Sequence, residues 1–199
     1  MIQRTSKIAC ALSIALCSVY STNALSQTAA AEVQRNVNQQ QRIEQGLQSG
    51  QLNTKEAARL ERREAGVSRL QSRALADGKL NAAEKARIDT RQDAMSKDIA
   101  AEKHDAQKGN PQSASSQRMQ ADVQRNVNQQ TRIENGIKSG QLNNKEVARL
   151  EAGQARVDSA EARAGRDGHV GAKEQAHIQT RENRNSGRIF AQKHDAQRR

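Results

Sequence analysis

One long stretch of this sequence is written twice. Residues 33–107 recur as residues 123–197, at an offset of 90 residues and without insertion or deletion, and by direct count 43 of the 75 aligned positions are identical. Self-similarity at a fixed offset is the sequence signature of a repeated supersecondary unit. We therefore expect two units of one architecture, placed one after the other in the chain.

The large apolar residues are few, and their regular spacing predicts helices. Each copy contains three narrow apolar stripes, with Gln40 and Gln130 in the middle of the first stripe. A polar residue in such a stripe often sets the register of helix packing at some cost in stability. The first copy has Val33, Val37, Ile43 and Leu47, then Leu60, Val67 and Ala74, then Ile88, Met95, Ile99 and Ala106; the second has Val123, Val127, Ile133 and Ile137, then Leu150, Val157 and Ala164, then Ile178, Asn185, Ile189 and Ala196.

The segments between the stripes share one turn pattern, a glycine followed by an N-cap residue and then a glutamate. Gly50 is suited to the left-handed conformation that ends a helix. Asn53 is a good N-cap, and Glu56 stands three residues later, where its side chain completes a capping box. The pattern occurs four times, also as Gly78, Asn81 and Glu84, as Gly140, Asn143 and Glu146, and as Gly168, Gly171 and Glu174.

Taken together, these patterns predict an all-α protein with two tandem three-helix repeats after an N-terminal signal peptide. Residues 1–24 have the basic start, short apolar run and small-residue end of a secretory signal peptide. Residues 25–107 form the first repeat and residues 118–199 the second. Residues 108–117, which contain the single proline of the chain, form the linker. The protein is then periplasmic or secreted, and no transmembrane anchor remains after cleavage.

Composition narrows the classes of function. Both cysteines, Cys10 and Cys17, lie in the predicted signal peptide, and Phe190 is the one aromatic residue beyond it. The mature chain therefore has no thiolate ligand, no cysteine nucleophile and no aromatic platform for bases. Because large apolar residues are too sparse to wall a pocket, we expect no enzyme, no catalytic residues and no cofactor.

Metal binding is the alternative function that the sequence leaves open. The turn spacing is similar to the second half of an EF-hand loop, but the first half lacks oxygen ligands, and none of the four histidines has a partner at helical spacing. Helix capping explains the turns without a metal. The candidate ligands are Glu56, Asp77, Glu84, His104, Glu146, Asp167, Glu174 and His194.

Several motifs resemble a group of small uncharacterised exported helical proteins of Gram-negative bacteria. These motifs are Arg-Ile-Glu-x-Gly-x-x-Ser-Gly-Gln-Leu-x-x-Lys-Glu, which starts at Arg42 and at Arg132, then Asp-Gly, then Lys-His-Asp-Ala at Lys103 and at Lys193. The unit usually occurs once in that group, and here it is duplicated. The resemblance implies export and a helical fold, and it implies no activity.

Interaction is the function we expect. Removal of Arg4 and Lys7 would lower the formal charge of +11 by two, to +9, and a basic surface attracts polyanions. The expected partners are anionic envelope polymers, a protein partner, or a second copy of the chain that covers the narrow stripes. No nucleic-acid-binding motif occurs, so no specific nucleic acid is expected. The alternative is a periplasmic metal-binding or envelope-stress-responsive protein that uses the EF-hand-like turns or the histidines.

Overall fold

The computed structural model describes the backbone of residues 17–195 and the side chains of residues 28–195. Most of the predicted signal peptide, residues 1–16, and the C-terminal residues 196–199 lie outside the described residues. The described part of the chain is all-α and contains no strand. Its helices are α1 (Cys17–Ser49), α2 (Thr54–Ala74), α3 (Ala82–His104), α4 (Ala114–Lys138), α5 (Asn144–Ala164) and α6 (Ala172–Lys193), with a short 3-10 turn at Gly165–Asp167 before α6.

The predicted turns start the helices as their sequence indicates. Asn53, Asn81 and Asn143 each accept a hydrogen bond from the backbone N–H three residues on, and the glutamate at that position accepts one from the cap's N–H. At Gly171 only the second of these bonds forms, because glycine has no side chain to act as an acceptor. The four turn glycines have φ between 71° and 92°, the left-handed region in which glycine is favoured.

The apolar stripes are buried, and residues from both halves of the chain bury them. One apolar cluster joins the middle of α1 and the end of α2 to the end of α4 and the start of α5; its members include Val33, Leu75, Ile133 and Leu150. The other cluster joins the end of α1 and the start of α2 to the start of α4 and the end of α5; its members include Ile43, Leu60, Met119 and Ile178. Each half therefore completes the core of the other.

Helices α2 and α5 form the main contact between the halves, and α1 packs along α4 in the same manner. The α2–α5 pair is antiparallel, since Lys55 at the start of α2 lies beside Gly168 after α5, and Lys145 lies beside Gly78. Near the crossing, the hydroxyl of Ser68 donates to Asp158, its counterpart 90 residues later, at 3.2 Å. Residues that meet their own counterparts lie close to a two-fold axis, here an approximate axis within one chain.

The predicted linker is tied to the first turn. The backbone N–H of Gly109 donates to the carbonyl of Gly50 at 2.9 Å. A side chain at Gly109 would meet the carbonyl oxygen of Leu52 at 2.3 Å, so this close approach requires glycine. The last residues of the predicted linker, 114–117, already belong to α4, whose N-cap is Ser113.

The last residue of the third predicted stripe is not part of the described core in either half. Ala106, the last residue of the third predicted stripe, is exposed beyond the end of α3, and its counterpart Ala196 lies outside the described residues. Within the described part of the chain, no helix has the length and apolar character to cross a membrane.

Candidate functional site

The turn glutamates among the predicted metal ligands are occupied as helix caps. One carboxylate oxygen of each accepts the backbone N–H of its cap residue, at 2.9 Å for Glu56, 3.0 Å for Glu84, 2.7 Å for Glu146 and 2.8 Å for Glu174. Each of these bonds fixes its carboxylate against its own helix start. The capping function that the sequence predicts is therefore present at all four positions.

The other predicted ligands lie on the surface and are spread over the molecule. Asp77 and Asp167 each accept a backbone N–H two residues on, at 2.8 Å and 2.9 Å. His104 is exposed at the end of α3, and His194 stacks on Phe190 with a ring separation of 4.2 Å.

Only one of the eight predicted ligands belongs to a compact group of acids. Oxygens of Glu56, Glu102 and Asp105 lie within 4.8 Å of one another at the end of α3. The carboxylate of Glu102 also pairs with Arg59 at 3.6 Å, so a cation already faces this group.

A larger group of acids lies in the centre of the molecule, between the two apolar clusters. We call it the central carboxylate group, and it consists of five side chains that have no exposed surface. Two come from α2 and three from α5: Glu61, Glu64, Glu151, Asp158 and Glu161.

Neutral side chains donate hydrogen bonds to this group, and Glu61 and Glu161 are also hydrogen-bonded to each other. The amide of Gln40 donates to Glu61 at 3.0 Å, and its counterpart Gln130 donates to Glu151 at 3.3 Å. Asn126 donates to both oxygens of Glu161, at 3.0 Å and 2.8 Å. Gln40 and Gln130, which interrupt the first predicted stripe, thus face the acids of the neighbouring helix.

The environment of these acids favours the neutral form of each carboxyl. Burial raises the pKa of Glu61 and of Glu151 to about 7. It raises the pKa of Glu64, Asp158 and Glu161 well above the usual range, and the neighbouring carboxylates add to the effect. A carboxylate that is removed from water without a cation costs several kcal/mol, so the group must hold protons or a positive ion at neutral pH.

The second candidate site is on the outer surface of the same helix pair. We call it the arginine surface. It is formed by three adjoining grooves with volumes of about 400, 490 and 390 Å³, and no acidic side chain lines any of them. Its nine exposed arginines are Arg69, Arg73, Arg87, Arg91, Arg149, Arg156, Arg163, Arg181 and Arg188.

Small residues between the arginines keep the grooves open. Where α2 faces α5, Ser72, Ala152, Ala155 and Ser159 line the groove floor. Arg69 donates to the hydroxyl of Ser159, its neighbour across the helix crossing, at 3.0 Å. None of the nine arginines forms an ion pair with a described residue. Their charge is therefore available to an external anion.

Sequence reasoning identified neither site, although both leave a signal in the spacing. Glu64 stands between Leu60 and Val67 at positions that continue the apolar stripe of α2, and Glu161 does the same between Val157 and Ala164 in α5. Polar residues at stripe positions indicate a polar layer in the core. On the outside, arginines at positions 149, 156 and 163 are each seven residues apart, which places them on one side of α5.

Comparison of the chain with protein-family models, with curated proteins and with solved structures finds no match.

Proposed function

We propose that the protein is an exported, non-enzymatic helical protein that binds anionic polymers of the cell envelope through the arginine surface. The observation that carries this proposal is the grouping of nine exposed arginines, free of ion pairs with described residues, along grooves without an acidic side chain. Six cations elsewhere among the described residues do form ion pairs, as Arg35 does with Asp89 and Asp93. The nine arginines thus form a positively charged patch that no ion pair with a described residue neutralises.

The chemistry of arginine indicates the class of ligand. A guanidinium group presents planar donors that match the oxygens of phosphate and carboxylate groups, and it keeps its charge at every physiological pH. The first groove shares Arg69 and Arg73 with the second, and Arg156 with the third. Because the grooves adjoin, they fit a chain of closely spaced anionic groups better than one small anion.

The same lining supports a binding function rather than a reaction. No carboxylate and no imidazole lies along the grooves, so the groups most often used as general acids and bases are missing there. The apolar stripes are buried within the chain, and Phe190 is the large apolar side chain that the described residues leave exposed. Because the stripes are already buried, they offer no apolar surface for a second copy of the chain. The exposed arginines, in contrast, attract an anion.

Binding to linear inorganic polyphosphate tests the proposal, with the triple variant Arg69→Gln, Arg156→Gln, Arg163→Gln. If each arginine contributes ~0.5–1 kcal/mol, the variant loses about 1.5–3 kcal/mol, or roughly ten- to a hundredfold in Kd. Titration calorimetry at physiological ionic strength measures this change. Raising the salt concentration must weaken binding by the wild type, because exposed charges are screened.

The matched control removes the same charge at Lys97, Lys173 and Arg184, exposed residues that line none of the grooves. We expect this control to keep most of the affinity of the wild type. An equal loss in both triple variants would show that net charge alone attracts the polymer. Absence of binding by the wild type would contradict the proposal outright.

A further inference from the structure

We propose that the central carboxylate group binds one divalent cation of the calcium class between α2 and α5, with Glu61, Asp158 and Glu161 as its ligands. This site is distinct from the turns and histidines that the sequence indicates, and it does not depend on the arginine surface. It would join the two halves of the chain through a buried ion.

The three ligands already lie at the spacing of a metal site. One oxygen from each lies within 4.8 Å of the other two. The centre of such a triangle is no more than about 2.8 Å from each oxygen, and a small inward shift gives the roughly 2.3–2.6 Å of calcium–oxygen bonds. Since Glu61 is on α2 and the other two ligands are on α5, the ion would bridge the helix crossing.

A separate observation at Glu64 points to a positive ligand. Its side chain has no exposed surface, and neither of its carboxylate oxygens has a hydrogen-bond partner among the described residues. The charges that act on it are those of Asp158, Glu61 and Glu151. A buried carboxylate that faces three others without a donor is the arrangement that a cation in their midst would satisfy.

No lysine or arginine of the described residues supplies a cation to this group. Among the described residues no lysine or arginine is buried, and none forms an ion pair with any of the five carboxyls. The contrast is Glu182, an equally buried acid of α6, whose carboxylate pairs with Arg125 at 3.0 Å. An arginine thus reaches the carboxylate of Glu182, although burial still raises the pKa of this acid to about 8, and no described cation reaches the five central carboxyls.

The donor set selects the class of metal. All available ligands are oxygens, which suits calcium, magnesium and manganese and disfavours copper and zinc, which prefer nitrogen or sulfur. The site is closed to solvent, and magnesium gives up its water ligands reluctantly. Calcium, which accepts an all-protein oxygen shell of irregular geometry, fits the closed site best.

Equilibrium dialysis of the wild-type protein against calcium at neutral pH, with bound metal measured by mass spectrometry, tests the site directly. We expect one calcium ion per chain and a higher melting midpoint in calcium than in chelator. Binding must also release protons, which calorimetry in two buffers of different ionisation enthalpy measures. Less than stoichiometric binding by the folded wild type would overturn the proposal and assign protons to the group.

Two variants locate the ion. Asp158→Asn and Glu161→Gln keep the size of the side chain and remove its charge, and the second introduces the residue found at the counterpart position Gln71. Each should lower the affinity for calcium by at least about tenfold. The control removes the surface acids Glu102 and Asp105 and should leave the affinity unchanged. A loss of calcium in the control, with retention in both central variants, would place the ion elsewhere and refute the assignment.

Discussion

The buried acids dominate the energetics of this molecule at the scale of single residues. Glu64 and Glu161 occupy positions of the α2 and α5 stripes where an apolar side chain would pack without electrostatic cost. Their counterparts in the other half are Gln154 and Gln71, which are also buried but uncharged. The two halves therefore differ in charge at the same places in the core, although the neighbouring apolar residues of the α2 and α5 stripes are the same in both halves.

Burial of the carboxyls of Glu61, Glu151 and Glu182 gives the protein an unusual dependence of stability on pH. In the unfolded chain these groups titrate near 4.5, whereas in the folded protein the pKa of Glu61 and Glu151 is about 7 and that of Glu182 about 8. The folded state binds more protons between these values, so the free energy of unfolding should fall as pH rises from about 4.5 to about 8. Urea unfolding in chelator across this range measures it.

Repulsion between the positive charges of the protein cannot explain a free energy of unfolding that falls as pH rises, because its effect has the opposite sign. The chain is strongly basic, with a pI near 10.3, so raising the pH toward 8 lowers its net charge and would by itself stabilise the fold. A free energy of unfolding that is constant or rises over this range would contradict the burial of the carboxyls. Calcium should reduce the fall if the ion occupies the central group.

At the scale of helices, close packing at a turn depends on glycine. A side chain at Gly46 in α1 would meet the side chain of Leu52 at 2.6 Å, and Gly136 stands in the same relation to Leu142. Leu52 and Leu142 are fully buried just before the N-caps of α2 and α5. The glycine thus allows the residue before the cap to fold back on the preceding helix and fix the angle between the two helices.

Two glycine substitutions should have opposite effects on stability. Gly46→Ala forces Leu52 out of place and should cost about 1–3 kcal/mol, the usual result of overpacking. Gly187→Ala, in an exposed part of α6 with no atom near the added methyl, should stabilise by about 0.5–1 kcal/mol through helix propensity. Chemical denaturation of the two variants measures both changes. Unchanged stability of Gly46→Ala would contradict the packing described at Leu52, and destabilisation by Gly187→Ala would contradict the open surroundings of that residue.

The individual helices could be predicted from the sequence, and the reason lies in short-range chemistry. Caps at Asn53, Asn81 and Asn143 depend on residues three apart, and the stripes depend on spacings of three, four and seven. The helix that packs against each stripe could not be predicted in this way. Periodicity shows which side of a helix faces inward, but it does not identify the partner helix. The central group is formed by residues nearly 100 positions apart in the chain, such as Glu61 and Asp158, and requires that long-range pairing.

At the scale of the whole molecule, the two halves form one body. Both apolar clusters mix residues from the two halves, and the α2–α5 pair has carboxylates on its inner side and arginines on its outer side. The contact between Gly109 and Gly50 holds the connection against the first turn. The arginine surface and the central carboxylate group therefore exist only if the halves pack on each other within one chain.

The measurement that tests this packing most directly is a circular-dichroism melt of residues 25–199 at two protein concentrations a hundredfold apart. Because each half completes the core of the other in the same chain, we predict one cooperative transition with a midpoint that does not change with concentration. A midpoint that rises with concentration would show that a second chain is needed to bury the stripes. Two separate transitions would show that the halves fold independently, and either result would contradict a core that the two halves share within one chain.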